Sequence, residues 1–245
     1  MSINNPEPPL LIHIHVPKCA GTSINTFLGQ QYPGRCLAYS NPADYQYFQS
    51  LPRDQRNNKY SSVFGHIFYG VHTEFDREFT YFSVLRDPIS RICSYFNYIH
   101  LTTDHPDHQL FKVRFPSISR ISAEDIRTIP ALRDNIFNYT CWAYSGIRCE
   151  SSTSWQQILQ QIKIQIEKQH LVLGNVASIH RFLLDKKNSQ DIHSLPVVNI
   201  TKSLFSESLD FELATKNTLN SQTKDLLESF NQYDQCIFDQ WNTVE

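Results

Sequence analysis

The sequence predicts an α/β fold of three layers, with a central parallel sheet flanked by helices. Short runs of apolar, β-branched and aromatic residues alternate along the chain with longer segments whose apolar residues recur at helical spacing. Strands that alternate with helices in this way form parallel sheets, because each helix returns the chain to the start of the next strand. The 245 residues, 40% of them hydrophobic, are enough to bury a core. We therefore expect one domain over residues 1–245, with a flexible tail at 1–9.

The first strand and helix of this fold are expected at residues 10–28. Residues 10–16 form a short run rich in β-branched residues between prolines, which predicts a buried strand. Thr22 or Ser23 is suited to cap the helix that follows. The apolar residues that this helix turns toward the core are Ile24, Phe27 and Leu28.

The second strand and helix have the same form. Residues 80–85 predict a strand, Arg86 follows at its carboxyl end, and Asp87 and Pro88 suit the N-cap and first position of a helix. The core-facing stripe of this helix consists of Ile89, Ile92, Cys93, Phe96 and Ile99. A second face carries Arg91, Ser94, Tyr95 and Tyr98.

The rest of the chain continues the alternation of helices and strands. Helical spacing of apolar residues predicts helices over 132–144, 155–168 and 207–243, and short apolar runs predict strands at 171–173 and 197–200. The core residues expected from the last helical segment are Leu219, Leu226, Leu227, Phe230, Ile237 and Phe238.

Composition argues against several classes of partner. The chain carries 22 Lys and Arg against 24 Asp and Glu, which gives no bulk field for nucleic acid, an anionic membrane or a long polyanionic substrate. Its first residues lack a basic segment, a long apolar stretch and a small-residue cleavage site. We therefore expect no signal peptide, no membrane insertion and a cytoplasmic location. The 6 cysteines form no Cys-x-x-Cys pair and fit reduced thiols better than disulfides or zinc ligands.

The turn between the first strand and its helix is suited to bind an anion. Ligands of parallel sheets lie beyond the carboxyl ends of the strands, where a helix N-terminus presents N–H groups and the positive end of its dipole. Lys18 precedes Gly21, Thr22 and Ser23, whereas the Walker A loop places its lysine directly before the helix. The order of residues therefore disfavours an ATPase or GTPase. A capped helix with a solvated lysine is the alternative interpretation.

The second strand end adds two more candidate ligands for an anion. Arg86 and Ser94, about two helical turns apart, can both reach a phosphate that lies over the start of the second helix. Each has an alternative role: Arg86 can pair with Asp87 or another carboxylate, and the Ser94 hydroxyl can bond back to the main chain.

The two segments together are similar to a known family. "HVPKCAGTS" and "VLRDPISRICSYF" resemble the two nucleotide-binding signatures of sulfotransferases that use 3′-phosphoadenosine 5′-phosphosulfate (PAPS). The resemblance is to the branch of heparan sulfate 2-O-sulfotransferase and its compact bacterial relatives. Between the signatures, "FGHIFYGVH" resembles the segment that carries the catalytic histidine of that branch, and weaker similarity extends the match over about residues 10–205.

The resemblance implies a P-loop-like fold, PAPS as co-substrate, 3′-phosphoadenosine 5′-phosphate (PAP) as product, and no metal. Arg86 and Ser94 are implied to bind the 3′-phosphate, and Thr201 and Lys202 to close over the nucleotide. Cys19 is expected to pack rather than to react, despite its place near a helix start. The loop residues implied to bind the 5′-phosphosulfate are Lys18, Cys19, Ala20, Gly21, Thr22 and Ser23.

The chemistry of sulfuryl transfer agrees with these residue types. The Lys18 ammonium can stabilise negative charge on the leaving phosphate oxygen. An acceptor hydroxyl needs a base, and His66, after the apolar run 62–64, is the candidate. His15 and His72 can orient the acceptor, although structural roles are favoured for both. The resemblance implies a hydroxyl-bearing acceptor, a glycan or small molecule.

Two alternative functions remain open from the sequence. A nucleotide kinase has the same strand, loop and helix, but it requires ATP and magnesium, and the position of Lys18 disfavours it. A non-catalytic module would bind PAP without turnover, and the presence of Lys18 and His66 disfavours that reading.

Overall fold

A computed structural model of the chain describes residues 8–147, 154–187 and 213–242. The expectations that fall wholly outside these ranges are the strand at 197–200 and the nucleotide contacts of Thr201 and Lys202. The flexible tail at 1–9 and the helix at 207–243 fall partly outside them. Within the three ranges, no helix combines the length and the apolar character needed to cross a bilayer.

In the described parts of the chain, the core is a five-stranded sheet in which every pair of neighbours is parallel. The strand order is β2-β3-β1-β4-β5, so β1 lies at the centre and all five of its residues are buried. Helices flank the sheet, which confirms the predicted α/β, P-loop-like fold class. The strands are β1 Leu10–Ile14, β2 Cys36–Ala38, β3 Ser62–Gly65, β4 Phe79–Val84 and β5 Leu171–Gly174.

The register of the three central strands brings their carboxyl ends to one edge. His13 of β1 lies beside Phe64 of β3 on one side and Phe82 of β4 on the other, and Ile14 is level with Gly65. The segments that follow the three strands therefore leave the sheet close together. The chain turns from β1 toward β2 in one direction and from β3 toward β4 in the other, and such reversals are where parallel sheets bind ligands.

Twelve α-helices lie in the described ranges, and their apolar faces form two clusters. The larger cluster packs against the sheet, and the second is built around the inner face of α4, with Phe111, Ile126 and Leu132 from the following helices. The helices are α1 Gly21–Gln31, α2 Pro42–Ser50, α3 Arg53–Lys59, α4 Pro88–Leu101, α5 His108–Arg114, α6 Ala123–Thr128, α7 Pro130–Ile136, α8 Tyr139–Ser145, α9 Trp155–Glu167, α10 Val176–Lys187, α11 Ser221–Ser229 and α12 Gln232–Trp241.

The predicted helix at 132–144 is wrong as a single element. Asn138 has φ 42°, in the left-handed region, and this residue separates α7 from α8. The predicted helix at 207–243 is also divided within its described part: residues 213–220 are not helical, and α11 and α12 are separated at Asn231. Apolar spacing did not reveal these breaks, because the core-facing pattern continues across each of them.

At the break at Asn138, hydrogen bonds connect the start of α8 to the start of α12. The carboxylate of the buried Asp234 in α12 accepts hydrogen bonds from the main-chain N–H of Thr140 and Cys141, at 2.9 and 2.8 Å, at the start of α8. The side-chain oxygen of Asn138 accepts from the N–H of Tyr233 and Asp234, at 3.1 and 3.2 Å, at the start of α12. Each helix thus satisfies the free N–H groups at the N-terminus of the other.

Candidate functional site

The loop after β1 has an unusual backbone at two residues. Lys18 and Ala20 have φ of 68° and 58°, in the region that residues other than glycine seldom adopt, while Cys19 between them does not. Alternating backbone handedness turns successive N–H groups toward one side and is typical of anion-binding concavities. Strain of this kind, about 1–3 kcal/mol per residue, is characteristic of functional loops.

The start of α1 leaves its first N–H groups without a side-chain cap. The helix begins at Gly21, its N-cap is Ala20, and no side chain accepts from its first turn. The prediction that Thr22 or Ser23 caps the helix is therefore wrong: both lie inside the first turn, with Thr22 exposed and Ser23 buried. An uncapped helix start above a sheet edge is available to an anionic ligand.

Gly21 is required by the side chain of His15. A Cβ atom at position 21 would lie only 1.8 Å from Cδ2 of His15, so any larger residue would displace the ring. Cys19 is buried, and burial raises its thiol pKa to about 11. This fits the expectation that Cys19 packs and does not react.

The Lys18 ammonium lies at the interface between the loop and α4. Its Nζ is 4.1 Å from the ring centroid of Tyr98, a cation–π contact. No carboxylate in the described parts of the chain pairs with it. Burial lowers the pKa of Lys18, and the neighbouring Arg86 lowers it further. Since a cation that is partly desolvated beside another cation is stabilised by an anion, this arrangement favours anion binding.

Arg86 connects the second signature segment to the first. Its Nη1 donates a 2.7 Å hydrogen bond to the main-chain carbonyl of Lys18. Pairing with Asp87, the alternative considered from the sequence, does not occur. Asp87 instead accepts from the N–H of Ser90 at 2.8 Å, as the N-cap of α4, and from Nζ of Lys216 at 2.6 Å. The Arg86 guanidinium is exposed, and no other described residue accepts a hydrogen bond from it.

Of the four residues expected on the polar face of α4, two are at least partly exposed and two are buried. Ser94 is half-buried and Tyr98 is 40% exposed, and neither hydroxyl bonds back to the chain in the described ranges. Arg91 and Tyr95, grouped with them from the sequence, are buried instead. Arg91 donates from Nη2 to the carbonyl of Asn135 at 2.9 Å, so it supports the helical cluster and not the site.

His66 directly follows β3 and is held by three contacts. Its N–H donates to Oγ of Ser40 at 2.7 Å, its ring stacks on His15 with centroids 4.3 Å apart, and its Nδ1 lies 3.0 Å from the carbonyl oxygen of His15. A carbonyl oxygen only accepts, so Nδ1 carries the proton and Nε2 keeps its lone pair. Burial lowers the pKa of His66, which keeps the ring neutral.

His13 of β1 and His15, which directly follows that strand, form a neutral support for His66. His13 donates from Nδ1 to Oδ1 of Asn25 at 2.7 Å, and Nδ2 of Asn25 lies 3.4 Å from Nδ1 of His15. Burial lowers the pKa of His13 to about 4 and that of His15 to about 3. His15 therefore provides the ring and the carbonyl that position His66, which agrees with the structural role favoured for it from the sequence.

His72 anchors the segment that follows His66. Its N–H and that of Gly70 donate to the Tyr81 hydroxyl at 2.8 and 3.1 Å, and its ring stacks on Phe79 with centroids 4.0 Å apart. This contact pattern agrees with the structural role favoured from the sequence. It also fixes the wall of a neighbouring pocket.

A pocket of about 330 Å³ opens beside His66. The sequence did not point to Tyr39 or Glu74, which line it. Tyr39 follows a three-residue strand whose partner is distant in the chain, so nothing local marked it. The lining residues are Tyr39, His66, Ile67, Phe68, Tyr69, Gly70, Val71 and Glu74.

Comparison with known proteins agrees with this geometry. The profile of a family described as "Sulfotransferase family" matches residues 5–239. No curated protein matches the chain. The matched region contains the loop after β1, the end of β4 and His66.

Proposed function

Because the chain belongs to the sulfotransferase family, we propose that it transfers the sulfuryl group of PAPS to a hydroxyl of a carbohydrate acceptor, with His66 as the base. The observation that carries this proposal is the meeting of Lys18 and Arg86. Two cationic side chains from segments far apart in the sequence share one edge of the sheet and have no anionic partner in the described ranges. A nucleotide with phosphate groups at two ends fits such a pair.

The residues at this edge fit the chemistry of PAPS. The loop 18–23 offers main-chain N–H groups at an uncapped helix start together with the Lys18 ammonium, which suits the 5′-phosphosulfate. Arg86 and the half-buried Ser94 hydroxyl suit the 3′-phosphate, since a guanidinium fork binds phosphate through paired hydrogen bonds. Thr201 and Lys202 remain proposed contacts that lie outside the described residues.

Lys18 has the role of stabilising charge. PAPS supplies the sulfuryl group when it is bound. The Lys18 ammonium then stabilises the negative charge that grows on the leaving phosphate oxygen, a contribution on the order of 3 kcal/mol by comparison with other preorganised donors. Tyr98 holds the ammonium by its ring face without neutralising it, so the charge stays available.

His66 has the role of removing the acceptor proton. Nδ1 is occupied by the carbonyl of His15, so the free lone pair of the neutral ring is on Nε2. The ring also lines the pocket, where an acceptor hydroxyl can reach it. A base whose orientation is fixed by a second hydrogen bond meets the geometric requirement for general base catalysis.

Ligand binding and turnover test this function against the alternatives. We expect PAP to raise the melting temperature more than ATP with magnesium does, since a ligand at 100 times its Kd stabilises the native state by about 2.7 kcal/mol. Mass spectrometry of a reaction with PAPS and a glycan panel should then show an acceptor heavier by one sulfuryl group. Preference for ATP would favour a kinase, and PAP binding without any transfer would favour the non-catalytic module.

A further inference from the structure

We propose that the pocket beside His66 binds the acceptor and selects an uncharged sugar residue over an anionic one. This inference rests on the proposed function, since it concerns the second substrate of the same reaction. It specifies an uncharged sugar as the acceptor and names Glu74 as the residue that disfavours an anionic sugar. The argument uses the size of the pocket, its walls and its charge.

The pocket is small and its walls are aromatic. A volume of about 330 Å³ is at the lower end of ligand sites, which typically span about 300–1,000 Å³. Tyr39, Phe68 and Tyr69 contribute rings, and such rings pack against the apolar face of a sugar while leaving its hydroxyl groups free to bond. One sugar residue suits this space better than an extended chain.

The aromatic walls are held in place by contacts outside the pocket. The Tyr69 hydroxyl donates to Oε1 of Gln165 at 2.7 Å, and the Phe68 ring stacks on Trp142 with centroids 4.2 Å apart. The N–H of Tyr39 donates to the carbonyl of Phe64 at 2.9 Å, which continues the pairing of β2 with β3. A rigid wall costs little entropy when a ligand binds.

Glu74 is the single acidic residue in the lining, and no lysine or arginine lines the pocket among the described residues. The Tyr39 hydroxyl donates to Oε1 of Glu74 at 2.9 Å, so this carboxylate is fixed at the pocket wall. A uronic acid or a sulfated sugar would bring a second negative charge next to it. Like charges at short range in a partly desolvated site disfavour binding.

Arg56 cannot serve an anionic acceptor without breaking other bonds. Its Nη1 forms an ion pair with Oε2 of Glu74 at 3.4 Å, which offsets part of the carboxylate charge, but Arg56 itself does not line the pocket. Its Nε donates to the carbonyl of Leu51 at 2.9 Å and its Nη2 to that of Gln49 at 3.0 Å, while the guanidinium lies over the Phe48 ring. All three nitrogens thus already have acceptors among the described residues.

The test compares matched pairs of acceptors. Methyl glycosides of glucose, galactose and mannose are each paired with the corresponding methyl uronide, and kcat/KM is measured with PAPS for both members. For the pair that is turned over best, we expect the neutral member to be favoured by about tenfold, the equivalent of about 1.4 kcal/mol. In Glu74→Gln the ratio should fall by about threefold or more, because the amide keeps the shape but removes the charge.

Asp76→Asn is the matched control. Asp76 lies two positions from Glu74, does not line the pocket, and pairs with Arg53 at 2.8 Å with 60% of its side chain exposed. Its substitution removes one negative charge from the same loop, so the ratio should stay at the wild-type value. An equal change in both variants would mean that net charge, and not the pocket, sets the preference, and would overturn the proposal.

Two further outcomes separate this inference from the proposed function. Transfer that favours the uronides, or favours simple phenols over every glycoside, would overturn the uncharged sugar as acceptor while leaving sulfuryl transfer intact. Saturation-transfer NMR with PAP bound reports binding independently of turnover, and failure of every neutral glycoside to bind would also overturn it. If PAP itself does not stabilise the protein, the proposed function fails first and this inference with it.

Discussion

The side chain of Arg86 donates a 2.7 Å hydrogen bond from Nη1 to the main-chain carbonyl of Lys18, across a separation of 68 positions in the sequence. This contact makes one site of two segments that the sequence presents separately. It also positions the guanidinium beside a loop with two left-handed residues and an uncapped helix start. The distribution of charge at this edge is the basis for the predictions that follow.

Lys18→Ala should reduce turnover far more than it reduces the affinity for PAP. The ammonium is proposed to act mainly on charge that develops during transfer, so kcat should fall by about 10²–10³-fold. Steady-state kinetics and calorimetric titration with PAP measure the two quantities. Lys163→Ala, which removes an exposed lysine on α9 that faces Glu167 at 3.9 Å, is the control and should change neither. Equal losses in turnover and PAP affinity would limit Lys18 to binding.

Arg86→Ala should weaken binding of PAP while affecting adenosine 5′-phosphosulfate much less. Adenosine 5′-phosphosulfate lacks the 3′-phosphate and carries a sulfuryl group that PAP does not, so each nucleotide is compared with its own affinity for the wild type. One charge-assisted contact to the 3′-phosphate is worth about 1.5–3 kcal/mol, or about 10- to 100-fold in Kd. Arg86→Lys should recover only part of this loss, because an ammonium lacks the paired donors of the guanidinium. A uniform loss for both nucleotides would indicate that Arg86 acts only by holding the Lys18 loop.

His66→Ala should abolish transfer and leave PAP binding intact. In the wild-type protein, activity requires the neutral ring, so kcat/KM should rise with pH through the pKa of His66 and then level off. Burial lowers that pKa below its ordinary value of 6.5, so the acidic limb of the profile should have its midpoint below 6.5. A midpoint above 6.5, or near-normal activity in His66→Ala, would remove His66 as the base.

His13 of β1 and the neighbouring His15 should make the fold less stable in mild acid. The folded-state pKa of His13 is about 4 and its ordinary value is 6.5, so between these values the unfolded chain binds more protons. The stabilising effect is complete above pH 6.5 and is lost as the pH falls toward 4, by roughly 3 kcal/mol if His13 acted alone. Burial displaces the pKa of His15 in the same direction.

Urea unfolding of the wild type at several pH values measures this loss. In His13→Phe the free energy of unfolding should fall less steeply as the pH is lowered. The phenyl ring preserves the stack on Phe82, where the ring centroids are 5.1 Å apart, although it loses the hydrogen bond to Asn25. NMR titration of the His13 ring in the wild type provides a measurement that does not depend on the variant folding. A His13 resonance that titrates near 6.5 would contradict the neutral support for His66.

The parts of the fold that sequence predicted well are those with a local chemical cause. The strand predicted at 80–85, the Asp87 N-cap and Pro88 at the start of α4 follow from β-branched runs and capping chemistry. The structure confirms all three, with the strand at Phe79–Val84. The breaks at Asn138 and Asn231 were missed, because each depends on partners from a distant part of the chain. Asp234, for example, caps α8 from 93 and 94 positions away.

The candidate site shows the same division. Lys18 and Arg86 could be chosen because loops after parallel strands meet at one edge, whereas the choice of His66 as base depended mainly on the family resemblance. A structural role for His15 was favoured from the sequence, but its contact with His66 was not predicted, since stacking between strands and loops has no pattern along the sequence. The burial of Arg91 was missed for a related reason: its helical face appears polar in sequence, but it packs over the Tyr139 ring from a later segment.

The most direct test of the central claim is a crystal structure of the protein with PAP bound. We expect a single nucleotide whose 5′-phosphate lies in the loop 18–23, within hydrogen-bonding distance of Lys18, and whose 3′-phosphate accepts from Arg86 and Ser94. A nucleotide bound at another edge of the sheet, or one that leaves Lys18 and Arg86 without contact to its phosphates, would contradict the account.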